Sequence, residues 1–300
     1  MPIKPPAAAP VHAVAAFSGG QAMTPKTILY PLGMDQPLDE LRPAIELCRA
    51  REAHLTVLLI ALAPPPPIAV DTVILSDAWA SQAEEIKKEL HAHGERARDL
   101  IAESGISCEI KRSLMVDSSI ELAVAEHAFF ADVTLISRTL PEKSGFADHV
   151  ASGVLFGAGK PVLVGAPAQF ETLDWKTVLI AWDNEKPAVR AIAEALPILR
   201  AAEAVHILSI DPDASRTGDG EAPGWDLAAY LSRHGVSLTV HTQPSGQLAV
   251  SRVIVEFADD IGADGIVMGA FGHSRLRQRL LGGTTRSMMD DCPLPVLMAH

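Results

Sequence analysis

The chain repeats itself. Lys26-Thr-Ile-Leu-Tyr-Pro-Leu32 is matched by Lys176-Thr-Val-Leu-Ile-Ala-Trp182. Ala131-Asp-Val-Thr-Leu-Ile-Ser137 is matched by Ala263-Asp-Gly-Ile-Val-Met-Gly269, and Pro161-Val-Leu-Val164 by Pro295-Val-Leu-Met298. Three matches in one order mark a duplication. The units run over about 25–167 and 174–300, with the joint at 168–174, and 300 residues is an ordinary length for two domains. Residues 1–24 are rich in Ala and Pro and read as a disordered leader; Lys4 and the apolar stretch to Phe17 resemble a signal peptide only faintly, because Pro10 and His12 interrupt it.

Within each unit, short β-rich runs alternate with amphipathic helical patterns. The first unit predicts strands at 27–32, 54–62, 107–114, 132–137 and 161–166, with helices at 38–51 and 77–104. Ser118 and Glu121 form a capping-box pattern opening another helix. The second predicts strands at 177–182, 204–210, 236–241, 265–269 and 295–299, with helices near 187–201, 224–234, 247–261 and 282–291. This alternation implies α/β units with parallel strands, right-handed crossovers and helices on both sheet faces. The last strands, 161–166 and 295–299, read as apolar edges that soluble proteins avoid exposing. They are expected to pair with each other within one chain; the alternative is pairing between chains in a swapped homodimer.

A formal net charge of −12 argues against general binding to nucleic acid or anionic membranes. The three cysteines, Cys48, Cys108 and Cys292, make no CxxC pair, so a cysteine-built zinc site is not expected and a reducing cytoplasm fits best. The run Leu55 to Ala63 is too short to span a bilayer. Of eleven histidines, His91 and His93 are the close pair, two apart on a predicted helix and so on different faces; no metal site is expected. No Gly-x-Ser-x-Gly elbow, Gly-x4-Gly-Lys-[Ser/Thr] loop or nucleophile with an identifiable base occurs, and no catalytic residue is assigned.

Ligands of open α/β sheets sit beyond the carboxyl ends of the strands. The richest such turn follows Gly265-Ile-Val-Met268. It runs Gly269-Ala-Phe271-Gly272, through Arg275, Arg277 and Arg279, to Gly282-Gly283-Thr284-Thr285 before a predicted helix. Gly269 and Gly272 would let backbone approach a ligand closely. Gly282 and Gly283 would leave N–H groups free at a helix start, where the dipole favours phosphate, and Thr284 and Thr285 add hydroxyls.

Gly-x2-Gly-x9-Gly, here Gly269, Gly272 and Gly282, resembles the ATP loop of the universal stress protein family, and the tandem layout resembles its two-domain bacterial members. The resemblance is strong in the second unit and weak in the first. It implies an open five-stranded parallel sheet per unit, Rossmann-like, and ATP or ADP, with or without Mg2+, as ligand of the second. It also places Asp183, in Ala181-Trp182-Asp183, against adenine or ribose, and Ile210 beside adenine. Trp182 either lines the site mouth or packs on a helix. The chain departs from the family in having Gly283 where a Ser or Thr usually follows the last glycine. In the first unit Gly33 stands for Asp183, and Ser137 and Leu140 replace Gly269 and Gly272, so that copy reads as degenerate and non-binding. The expected role is regulatory or protective in stress response, with at most slow ATP hydrolysis. The rivals are an interaction or dimerisation module of the same fold and a nucleotide-using enzyme of the wider group, against which the lack of a His-x-Gly-His signature tells.

Overall fold

The structure is a computed structural model that describes residues 25–64, 68–69, 72–73, 77–140, 145–212, 224–271 and 283–300. The expected leader at 1–24, and Gly272 to Gly282 of the glycine loop with its three arginines, lie outside the described residues. In the first unit, β1 (Thr27–Gly33) leads through a 3-10 turn (Leu38–Glu40) into α1 (Leu41–Arg51). There follow β2 (His54–Leu62), α2 (Asp77–Ala102), β3 (Cys108–Met115), α3 (Ile120–Ala128) and β4 (Val133–Ser137). α4 (Phe146–Ser152) continues as a π turn (Gly153–Ala158) to β5 (Val162–Gly165). The second unit has β6 (Thr177–Trp182), α5 (Lys186–Ala201), β7 (Ala204–Ile210), α6 (Trp225–Arg233) and β8 (Leu238–Gln243). It ends with α7 (Val250–Asp260), β9 (Gly265–Gly269), α8 (Gly283–Asp290) and β10 (Val296–Ala299). A two-stranded hairpin, Ile68–Ala69 with Thr72–Val73, stands apart from the main sheet.

The two five-stranded sheets are joined. One ten-stranded sheet runs β8-β7-β6-β9-β10-β5-β4-β1-β2-β3. Every ladder of this sheet inside a unit is parallel; β5 and β10 meet antiparallel, with Leu163 opposite Leu297 and Val164 opposite Val296. Both strands are buried throughout, as continuous apolar runs require. The joint is packed as well: Phe170, Leu173 and Trp175 are buried in the core. Alternation along the strands divides that core between two sheet faces. Ile28, Tyr30 and Leu32 face α1 residues such as Leu47, while Val178, Ile180 and Val267 share their face with Ile192 and Leu231. Leu29, Ile136, Leu179 and Met268 lie on the other face with Val124, Val150, Ile254 and Met288.

The repeated Ala-Asp pairs have a shared physical task. Asp132 accepts hydrogen bonds from the backbone N–H groups of Lys26 and Thr27 at 2.7 and 2.9 Å. Asp264 accepts from Lys176 and Thr177 at 2.7 and 2.8 Å. Each carboxylate ties the start of a unit's first strand to the start of its fourth.

One local expectation fails, and one helix goes beyond the expectations. The Ser118–Glu121 capping box does not form: Ser119 holds the N-cap position without a side-chain cap, and its hydroxyl donates to the Val116 carbonyl at 2.8 Å. The helix at Phe146–Ala158, with Gly153 and Gly157 within it, was not among the helices expected from sequence. These glycines allow close packing: a Cβ on Gly153 would lie 2.5 Å from the Glu121 carbonyl oxygen, and one on Gly157 would lie 2.7 Å from the Ala125 Cβ.

Arg138 bolts the units together. Its guanidinium donates to the carbonyls of Met289 (3.0 Å) and Leu294 (2.8 Å) and to the Gln169 side chain (3.2 Å). A cation at the last turn of α8 also complements the helix dipole. Arg138→Leu is expected to cost about 3 kcal/mol, since carbonyls are left without their charged donor; urea unfolding with an unchanged midpoint would refute this.

His93, His127 and His206 all have pKa values held below the usual imidazole range, chiefly by burial; the neighbouring charges of Arg96, Lys111 and His241 add respectively to each shift. His206 Nδ1 lies 3.0 Å from His241 Nε2. Their ring centroids lie 5.2 Å apart with the planes at 23°. The unfolded chain binds more protons than the folded one through these groups. Their contribution is therefore complete above about pH 6.5 and is lost as pH falls through the lower folded values. The urea midpoint should drop between pH 7.5 and pH 6.0, and drop less in His206→Gln; equal midpoints would count against this linkage.

Candidate functional site

From β6 the chain turns outward to β7, whereas β9 feeds β10 on the other side. β6 and β9 therefore bound the crevice where strand order reverses, the place where open α/β sheets hold ligands. A cavity of about 400 Å3 lies there. Ala181, Trp182 and Asp183 line it from the end of β6, and Met268, Gly269 and Phe271 from the end of β9. Ile210 comes from β7, and Gly283, Thr284 and Thr285 from the start of α8. The described residues singled out from sequence thus converge on one space; Gly272 and Gly282 fall outside the described residues.

Three further lining residues escaped the sequence reading. Leu208 shares a face with Ile210 two positions on, so strand alternation could have found it. Val250 and Ile254, one turn apart on α7, close the cavity from the side. No local pattern says which helix packs over which strand end, so those two were not legible.

The walls differ in chemistry. Leu208, Ile210, Val250, Ile254 and Met268 make an apolar slab. The rim carries Asp183 and the α8 end carries Gly283, Thr284 and Thr285. Asp183 Oδ1 accepts from the Glu185 N–H at 3.1 Å, closing a turn in which Asn184 takes a left-handed φ of 58°. Asp183 thus shapes the entry to α5 while standing exposed at the rim. Thr285 is buried and its Oγ1 accepts from the Phe271 N–H at 3.1 Å, linking the two walls. Trp182 both lines the cavity and packs on the core, so its two expected roles coincide. A Cβ placed on Gly283 would meet nothing within 4 Å, leaving its backbone open to a ligand.

Gly269 also answers a packing constraint. A Cβ there would lie 2.5 Å from the Ala188 nitrogen and 2.8 Å from the Pro187 carbonyl carbon. The missing side chain makes room for the first turn of α5. At the matching place in the first unit, Ser137 is accommodated because α1 begins later and Glu40 turns toward it.

At the matching strand ends of the first unit, polar side chains hydrogen-bond one another. Buried Gln36 accepts from the Gly33 N–H at 2.8 Å and donates to Glu40 at 3.0 Å and Thr139 at 2.8 Å. Ser137 and Thr139 share a 2.6 Å hydrogen bond, and both reach Glu40. Leu140 is buried beside them.

The described residues hold no group of three His, Cys, Asp or Glu able to bind a metal, and none of their helices is long and apolar enough to cross a membrane. Burial pushes the Cys48 thiol up to about 12, so it is no poised nucleophile. Gly269→Ala is expected to cost about 2 kcal/mol with or without ligand, because the clash is with backbone. A variant as stable as the parent in thermal melts would contradict this.

The comparisons with known proteins bear on this architecture. Residues 174–300 match the universal stress protein family. A universal stress protein of Synechocystis sp. (strain PCC 6803) is 30% identical over 145 residues, which is 46% of each chain, so the match spans about half the length of that relative. The crystal structure of a universal stress protein from Archaeoglobus fulgidus DSM 4304 superposes with a TM-score of 0.64 at 18% identity, covering 91% of this chain and 98% of that one. A functionally unknown protein from Pseudomonas aeruginosa PAO1 gives a TM-score of 0.55 at 19% identity over 93% and 92%. At such identities these structures speak for the shared fold. Residues 174–300 therefore resemble the universal stress protein family, and the duplicated architecture as a whole shares the fold of these solved structures.

Proposed function

We propose that the second unit binds one adenine nucleotide, ATP or ADP, and that the chain serves a regulatory or protective role in stress response rather than a metabolic conversion. The observation that carries this reading is the cavity at the switch point, apolar along one side and polar at the α8 end. An adenine ring suits the slab of Leu208, Ile210, Ile254 and Met268. A ribose hydroxyl suits the Asp183 carboxylate. Phosphates suit the N–H groups that open α8 at Gly283, with the hydroxyl of Thr284 beside them, since helix starts favour negative charge. Mg2+ would accompany the phosphates rather than occupy a protein cage. The side chains of Gln36, Glu40, Ser137 and Thr139 support a first unit that takes no nucleotide.

Calorimetric titration of the full chain with Mg-ATP should give one site. Asp183→Ala should weaken it roughly tenfold to a hundredfold, the worth of one hydrogen bond to a charged acceptor. Two sites per chain would overturn the asymmetry between units. No binding at millimolar ATP would favour an interaction module of the same fold.

A further inference from the structure

The first unit reaches the second unit's cavity. Phe156 sits on the π turn Gly153–Ala158, and its ring lies 5.0 Å from that of Phe271. It also lies 4.5 Å, edge-on, from the His300 ring, whose Nδ1 donates to the Ala270 carbonyl at 2.9 Å. Phe271 lines the cavity in a left-handed conformation, φ 63°, which a bulky side chain adopts only when its surroundings impose it. What imposes it here is visible: the Thr285 hydroxyl takes its N–H, His300 holds the preceding carbonyl, and Phe156 holds its ring.

The turn that carries Phe156 is a π turn that continues α4, whereas α8 ends at Asp290. Gly153 and Gly157 press this turn onto α3, which sets the direction of Phe156. Phe156 is nevertheless 48% exposed, so burial is not its main yield.

We propose that Phe156 is a positioning residue for the second unit's site, a clamp by which the first unit holds Phe271 at the mouth of its neighbour's cavity. The effect on ligand affinity rests on the adenine-nucleotide reading; the clamp itself does not.

Full-length chains carrying Phe156→Ala, Phe156→Tyr, Phe271→Gly, and Phe156→Ala together with Phe271→Gly are titrated with Mg-ATP. Phe156→Ala should bind about three- to tenfold more weakly, as loss of an aromatic pair implies. Phe156→Tyr, which keeps the ring, should bind as the parent does. Phe271→Gly removes both ring and strain, so adding Phe156→Ala to it should change nothing further, a coupling that a merely structural residue would not show. Amide spectra of the ligand-free chains give a second reading: Phe156→Ala should move the Phe271 and Thr285 resonances. Unchanged affinity in a parent that binds ATP, or unmoved resonances, would overturn the proposal. A parent that binds no ATP would defeat the nucleotide reading alone, and the resonances would then decide the clamp.

Discussion

The antiparallel pairing of β5 with β10 is the contact on which the rest of the molecule depends. Two four-residue strands, Val162–Gly165 and Val296–Ala299, are each buried along their whole length. Separated, either would present an apolar edge with unpaired backbone groups. Joined, they turn ten strands into one sheet and let both faces of the core run across the boundary between units. Arg138 and Gln169 act on the same seam, Gln169 donating to the Pro293 carbonyl at 2.6 Å. The seam leaves the two switch points free to diverge, because neither lies on it.

That divergence is a choice between polar groups. In the first unit a buried carboxamide, a carboxylate and two hydroxyls satisfy one another across the end of β1 and β4. In the second unit the matching space is lined by aliphatic side chains, with polar groups only at its ends. A closed polar network rigidifies its surroundings, whereas an open apolar cavity forgoes contacts that a ligand can restore. The two units therefore differ in what completes them, though their backbones follow one plan.

The central strands were legible as short apolar runs and the edge strands β3 and β8 as alternating ones, and their predicted and observed limits agree within a few residues. The site was legible where strand ends and a glycine-rich turn supplied it. Its α7 wall was not, because Val250 and Ile254 carry the same amphipathic signal as any helix that packs on a sheet. Glycine carries more than one meaning. At Gly269 the free space also serves a neighbouring helix, and at Gly153 and Gly157 glycine permits a helix to pack closely. Spacing reports that a Cβ is missing; only packing reports what takes its place.

The β5–β10 pairing also has a consequence in time. A chain emerges from the ribosome N-terminus first, and β10 follows β5 by about 130 residues. At about 5–20 residues per second, β5 waits on the order of 10 s for its partner. During that interval a nascent first unit can complete its five strands, but it carries one unpaired apolar edge. The prolines that bracket the strand, Pro161 and Pro167, lack the N–H that an incoming strand would need to extend pairing beyond it. Nascent chains on neighbouring ribosomes expose the same edge over overlapping intervals, so pairing between chains competes with the pairing of β5 with β10 within one chain.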